Sequence, residues 1–307
     1  MSPLAVAYQN TYIPLTCQGE KYYFSTALPP IGSGGMGIVY LGFRVSDNKK
    51  VAVKVLRPEL TSIYSLRLRA KQEASIQLAH PNIIKMLGYC ENAVDRGPLY
   101  VLSEYVEGML FQEHVDWQLS KYSERDRVVR IVEEFLPILD AVGYLHSLGI
   151  IHRDIKPDNI MFENGNTVKL MDLGAAKADF FFDAHLKGTI GTEPYCAPEQ
   201  KVDPSIEAST DERSDIYSLG ATLTFFLEGD FPSKKETIPS TLCQILQIAT
   251  AKCPADRFQD VSHFRERLEN WLSEETKGGV RVLNREALFF CAAFIVLILC
   301  LFMFLTR

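Results

Sequence analysis

The sequence has no surplus of basic residues: 32 Lys and Arg stand against 38 Asp and Glu, a formal charge of −6. That removes the reason to expect nucleic acid, which selects a basic face. Its seven cysteines show no pair spacing, so neither a disulfide framework nor a zinc site reads from them, and a reducing compartment follows. The opening MSPLAVAYQNTYIPL lacks a basic run followed by a long apolar core, and is no secretion signal. No internal repeat is visible. One segment, Ala287 to Leu305, lacks charge, proline and glycine altogether.

What is present is an ordinary globular composition, 47% hydrophobic and 23% charged over 307 residues, enough for a sizeable core. Residues 1–24 read as irregular and carry no assigned chemistry. From Leu28 to Val55 strands alternate with turns, with SDNKK as one turn signal. Residues 62–79 predict an amphipathic helix stopped by Pro81. Strands are expected near 84–90 and 99–105, then a helix over about 124–148, with short strands near 160–162 and 168–170. Helices follow near 215–228, 239–252 and 260–272. A β-rich first third with one helix, then a helical remainder, predicts a two-lobed α+β chain.

IGSGGMGIVY holds Gly32, Gly34 and Gly37 in a G-x-G-x-x-G arrangement. The spacing also opens dinucleotide-binding folds, and both uses need backbone that approaches phosphates without Cβ atoms in the way. A dinucleotide fold needs a helix next; here apolar alternation continues through VYLGF as a strand. A hairpin turn covering phosphates fits better, with a ligand-free glycine turn as the alternative. VAVKVL places Lys54 inside an apolar strand, on the face of Ala52. Such a lysine either pairs, with Glu73 as partner on the following helix, or snorkels to water.

IIHRDIKPDNIMF packs His152, Arg153, Asp154, Lys156, Asp158 and Asn159 between apolar pairs, which is expensive unless the cluster lines a site. VKLMDLG then ends an apolar strand in Asp172. An acid and an amide from adjacent loops could hold magnesium, leaving a second acid as a base.

With GSGGMGIV, VAVK, Glu73, HRDIKPDN, DLG, APE, DIYSLG and ADRF in order over about residues 28–272, the chain resembles a eukaryotic-type (Hanks-type) serine/threonine protein kinase, a family with bacterial members. The resemblance implies a β-rich N-lobe (about 28–104) and a helical C-lobe (about 108–272), after an extension over 1–27. It implies that Ile31, Gly32, Ser33, Gly34, Gly35, Met36, Gly37, Ile38 and Val39 cover ATP, and that Lys54 holds its phosphates while paired to Glu73. Val39 and Ala52 would cover one face of adenine and Met161 the other, with backbone of Glu104 and Val106 on its edge. Asp154 would be the catalytic base, Lys156 would neutralise the γ-phosphate, and Asn159 and Asp172 would hold Mg2+, with Mn2+ as a substitute. Ser103, a small residue before the hinge, implies a deep rear cavity. Glu199 is expected to pair with Arg257, Asp215 to anchor the catalytic loop, and Thr192 to contact Asp154 and Lys156.

The activation segment, 172–199, offers Thr189 as a phosphosite; the alternative is that FFFDAH packs it without phosphate. The implied partners are proteins with Ser or Thr acceptors, and a transient dimer for autophosphorylation. Two departures stand out. The region at 229–239, where the family docks substrates and partners, is shortened, and Leu replaces Phe in DLG. A pseudokinase acting as a binding or scaffold module is the rival reading. GTEPYCAPE disfavours a small-molecule kinase.

After a polar linker at 273–286, the nineteen apolar residues at 287–305 would span roughly 28 Å as a helix, close to a bilayer core. No polar face marks them as a core helix. Lys277, Arg281 and Arg285 before the segment, against Arg307 after it, place the preceding domain on the cytoplasmic side. With two residues following, the segment is expected to be a single-pass, C-terminal tail anchor in a lipid bilayer.

Overall fold

The computed structural model describes residues 12–61, 63–91, 97–164, 167–173, 177–178, 192–201, 210–229 and 238–276. The first strands arise where the sequence reads as irregular. β1 (Ile13–Cys17) and β2 (Glu20–Phe24) form an antiparallel hairpin. Gln18 and Gly19 turn it with φ of 49° and 85°, the left-handed pair that matches strand twist. Leu15, Cys17, Tyr22 and Phe24 all face inward. Their period-two burial is what an irregular reading of 1–24 misses, because tyrosines and polar residues share the stretch. The lobe therefore starts inside the expected 1–27 extension.

β3 (Gly32–Ser33), β4 (Gly37–Arg44), β5 (Lys50–Leu56), β6 (Met86–Glu91) and β7 (Leu99–Glu104) complete the sheet, in the order β1-β2-β4-β5-β7-β6 with β3 on β4. The sheet curls until its outer strands meet. The Cys17 thiol donates to the carbonyls of Leu87 (3.5 Å) and Tyr89 (3.3 Å) on β6. Gly88, at φ 119°, lies opposite that thiol; a Cβ there would come within 2.7 Å of the sulfur. Val51, Val53, Tyr100 and Leu102 pack on one sheet face with Leu15, Cys17 and Phe24. The other face meets α1 (Pro58–Thr61) and α2 (Tyr64–Ser75).

The predicted helix over 62–79 is shorter than expected. It ends at Ser75, and Ile76 turns extended with ψ 118°. Ile76 and Leu78 then pack against the second lobe's core. Burial of these two side chains, rather than Pro81, terminates the helix.

The second lobe is built on α4 (Glu124–Ser147), whose N-cap Ser123 accepts from the Asp126 N–H. It is preceded by β8 (Gly108–Leu110) and α3 (Phe111–Trp117). β9 (Ile150–Ile151), β10 (Ile160–Glu163), β11 (Thr167–Leu170) and β12 (Lys177–Ala178) follow as short strands. α5 (Arg213–Glu228), α6 (Ser240–Ala249) and helical residues 261–276 close the lobe. One core joins them: Phe135, Leu139, Leu219, Phe226, Leu246 and Phe264 are almost fully enclosed.

Candidate active site

Strand register assembles the first half of the site. Directly opposed residues of antiparallel strands share a sheet face. Val39 lies opposite Lys54, and Ala52 lies opposite both Leu41 and Ser103. Val39, Ala52, Lys54 and Ser103 therefore face the side that carries α2. The glycine segment is a hairpin: Gly32 pairs with Val39, Ser33 with Ile38, and the Gly34 N–H closes onto the Gly37 carbonyl at 2.9 Å. Gly37 cannot be replaced freely, since a Cβ would meet the Val55 carbonyl oxygen at 2.6 Å. Gly34 and Gly35 have open space around them. Arg57 donates to the Gly34 carbonyl at the hairpin tip.

Lys54 does not choose one partner. Its Nζ lies 3.8 Å from Glu73 Oε1 and 3.2 Å from Asp172 Oδ1, so the pair with Asp172 is the closer. Burial works against the lysine's charge, but the carboxylates of Glu73 and Asp172 outweigh it and hold its pKa above the ordinary value. For Glu73, burial dominates and pushes the carboxyl upward; Lys54 offsets this only in part, and the nearby Asp172 adds to it. Two acids, Glu73 buried and the Asp172 side chain 40% exposed, thus compete for one cation.

The catalytic stretch hangs from Asp215 of α5, which is wholly buried. Its Oδ2 accepts the His152 N–H at 2.8 Å and its Oδ1 the Arg153 N–H at 2.8 Å. His146 Nε2 lies 2.8 Å from Oδ2. Burial disfavours the Asp215 charge, yet these donors hold its pKa below the ordinary value. The His152 ring bridges onward, from Nδ1, which accepts the Asp154 N–H, to Nε2 on the Met171 carbonyl at 3.2 Å. Arg153 and Asp172 both have positive φ, 68° and 54°. Such strain in non-glycine residues persists only where surrounding bonds over-determine it, as they do here.

Asp154 is held on every side. Its Oδ2 is 2.9 Å from Lys156 Nζ, and its Oδ1 accepts from the Thr192 hydroxyl at 2.8 Å. Lys156 in turn donates to Thr192 Oγ1 at 2.7 Å. Asn159 Nδ2 donates to the Asp154 carbonyl at 2.8 Å. Asn159 thus spends its amide N–H on Asp154, and its side-chain oxygen is the atom type a hard cation takes. Among the described residues no three His, Cys, Asp or Glu side chains form a metal cage. Asn159 and the Asp172 carboxylate are a small all-oxygen set, which suits Mg2+ shared with substrate phosphates. Met161 and Val106 pack together below the sheet with Met171, and Val106 lies outside every strand pairing.

Three positioning contacts went unread in the sequence. Gln200 donates to the Arg153 carbonyl at 2.8 Å and accepts the Ala197 N–H at 2.9 Å, stitching the segment after Thr192 to the catalytic loop. His146 braces Asp215. Lys169 of β11 reaches Glu104 Oε1 at 2.8 Å. That last lysine carried the same signal as Lys54, a cation inside an apolar strand. The expected Glu199–Arg257 pair is bidentate, at 2.7 and 2.8 Å. Thr189, FFFDAH and most of 229–239 lie outside the described residues, as does the predicted span 287–305. Among the described residues no helix is long and apolar enough to cross a membrane.

Residues 26–278 match the protein kinase domain family. The chain is 32% identical over 303 residues to serine/threonine-protein kinase PknD of Chlamydia trachomatis, covering 82% of this chain and 32% of that protein. It is 33% identical over 283 residues to serine/threonine-protein kinase PknB of Mycobacterium leprae, covering 83% of this chain and 44% of that protein. It thus spans less than half the length of the curated relatives it matches. The crystal structure of the Mycobacterium tuberculosis PknI kinase domain superposes with a TM-score of 0.59 at 25% identity, covering 83% of this chain and 97% of that one. Motif order, two-lobed fold and family match agree, and the chain belongs to the protein kinase family.

Proposed function

We propose that this protein transfers the γ-phosphoryl group of ATP to serine or threonine hydroxyls of proteins. The observation that carries the reading is the triangle of Asp154, Lys156 and Thr192, closed by contacts of 2.7, 2.8 and 2.9 Å. Asp154 takes the proton of the acceptor hydroxyl, whose oxygen attacks the γ-phosphorus as the bond to the β-phosphate oxygen breaks. Lys156 offsets negative charge gathering on the transferred group. Lys54 binds the nucleotide's phosphates, and Glu73 restrains Lys54. Asn159 and Asp172 are the residues that would hold divalent metal, which when bound neutralises phosphate charge. The protein's contribution is positioning and electrostatics, with no covalent intermediate. The relatives' names, both serine/threonine kinases, and the lysine two residues after Asp154 support a hydroxyl acceptor of that class.

The test is transfer of labelled phosphate from ATP-Mg to a generic protein. Loss of a positioned general base costs about 10²–10⁴-fold in rate, so Asp154→Asn should fall by that much while still binding nucleotide. Equal transfer by Asp154→Asn, or nucleotide binding without transfer by the wild type, overturns the reading in favour of a pseudokinase. Thr189 is the candidate acceptor for autophosphorylation through a transient dimer. An unphosphorylated Thr189 in a fully active sample removes it.

Residues 287–305 are proposed to span a bilayer and hold the kinase domain at its cytoplasmic face. Their uninterrupted apolarity and the preceding basic residues support this. Removing residues 287–307 should release the protein from the membrane fraction; retention there refutes the anchor.

A further inference from the structure

Among the described residues, one ion pair between the lobes, Lys169 with the partly exposed Glu104, is required by no part of the reaction scheme above. Glu104 is the last residue of β7, where the chain passes towards the second lobe. Its Oε1 accepts from Lys169 Nζ at 2.8 Å and from the Lys85 N–H at 3.0 Å, while its own N–H donates to the Lys85 carbonyl at 2.9 Å. Lys169 is only 9% exposed. It lies on β11 opposite Met161 of β10, three residues before Asp172. The other side of β11 is held by the first lobe: Asn82 donates its side-chain amide to the Val168 carbonyl at 2.7 Å and accepts the Leu170 N–H at 2.8 Å.

We propose that Lys169 and Glu104 form an inter-lobe latch that sets the adenine edge of the nucleotide site, with Lys169 a positioning residue acting through Glu104. The inference rests on the kinase reading and deepens it. A half-buried ion pair adds little net stability, because desolvation of the lysine and solvent screening at the glutamate offset most of the attraction. What such a pair supplies is direction. A charge-assisted bond at this distance fixes the Glu104 peptide relative to two other parts of the pocket. One is Met161, opposite Lys169 across the strand pair. The other is Asp172, two residues past the end of the same strand. Without it, the Glu104 peptide is held only to Lys85 and its own sheet, and the next tie to the pocket floor comes three residues on, where the Glu107 carbonyl accepts the Asn164 N–H at 2.8 Å and β8 pairs with β10.

The experiment uses the full chain with Lys169→Met, Lys169→Arg and Glu104→Gln. It measures dissociation constants for ATP-Mg and GTP-Mg, kcat, and thermal unfolding. Lys169→Met should weaken ATP about tenfold and GTP much less, since misplacement by about 1 Å is costly only where edge geometry is read. The preference for ATP over GTP then narrows while kcat stays within about twofold. Lys169→Arg keeps charge and reach, and should recover ATP affinity to within about threefold. Should Lys169→Met fail to fold, Glu104→Gln carries the same expectation for nucleotide affinity and preference, though none for kcat, because it keeps the shape and removes the charge. A folded variant with wild-type ATP affinity and preference overturns the latch, as does equal weakening of both nucleotides. Wild-type protein that binds neither nucleotide overturns the kinase reading and the latch with it.

Discussion

Arg257 has all of its donors engaged, and this makes the cost of disturbing it calculable. Its side chain is 0% exposed, and the Glu199 carboxylate opposite is 17% exposed. Beyond the bidentate pair, Nε donates to the Ala251 carbonyl at 2.8 Å, and the two terminal nitrogens donate to the carbonyls of Arg213 at 2.8 Å and Lys252 at 3.2 Å. Glu199→Gln preserves shape but leaves a buried guanidinium without a counter-charge, a situation that costs about 3–5 kcal/mol. Arg257→Met strands the carboxylate and also removes donors from three carbonyls, each worth about 1–3 kcal/mol if water cannot enter. Arg257→Lys keeps the charge and supplies three donors in place of five. The expected order of destabilisation is therefore Arg257→Met, then Glu199→Gln, then Arg257→Lys. For a domain of this size each 1 kcal/mol lowers Tm by about 2–4 °C, so Glu199→Gln should lose roughly 6–20 °C. Urea unfolding followed by circular dichroism gives the free energies. The double variant Glu199→Leu with Arg257→Met should be less destabilised than the sum of its parts, because neither charge is left alone. Loss of under about 1 kcal/mol in Glu199→Gln, or strict additivity in the double variant, would refute the reasoning.

Gly37→Ala drives a Cβ to within 2.6 Å of the Val55 carbonyl oxygen, whereas Gly34→Ala meets nothing within 4 Å. Overpacking of this kind costs about 1–3 kcal/mol, so nucleotide-induced thermal shifts should shrink for Gly37→Ala and persist for Gly34→Ala. Ser103→Met fills the rear of the pocket beside Ala52. It should weaken inhibitors that need a deep rear cavity by at least about tenfold in a competition assay, and unchanged potency would sink that reading. Asp215→Asn removes the charge that holds the His152 and Arg153 N–H groups. The Asp215 pKa is depressed in the fold. Its stabilising contribution is therefore complete above the unfolded carboxylate value and is lost as pH falls through the folded one. The gap in urea midpoint between wild type and Asp215→Asn should be widest near neutrality and close below about pH 4; a gap that widens in acid contradicts the sign.

Much of this molecule was legible along the chain because its signals are local. The glycine hairpin, the period of α4, the polar cluster at 152–159 and the acid two residues past β11 each depend on residues close together along the chain. The resemblance added pairs that spacing alone does not fix, Glu199 with Arg257 and Thr192 with Asp154 and Lys156, and the structure forms both. The first strands escaped because each is only five residues long, with proline inside β1 and adjacent tyrosines on opposite faces of β2.

Other features depended on approach in space. Lys54 and Asp172 lie 118 residues apart in sequence and meet at 3.2 Å, closer than the expected partner Glu73. Gln200 looks unremarkable, and Lys169 is a cation in an apolar strand without a named partner, until folding brings the catalytic loop and the hinge to them. Composition and periodicity determined which residues could carry charge and which faces would be buried, while phosphate chemistry came from the glycine spacing and the family resemblance. Which carboxylate each buried cation serves was decided only by tertiary structure. Each cation answers to every opposite charge within reach, weighted by distance and burial, and that reach is set by packing between elements rather than by distance along the chain.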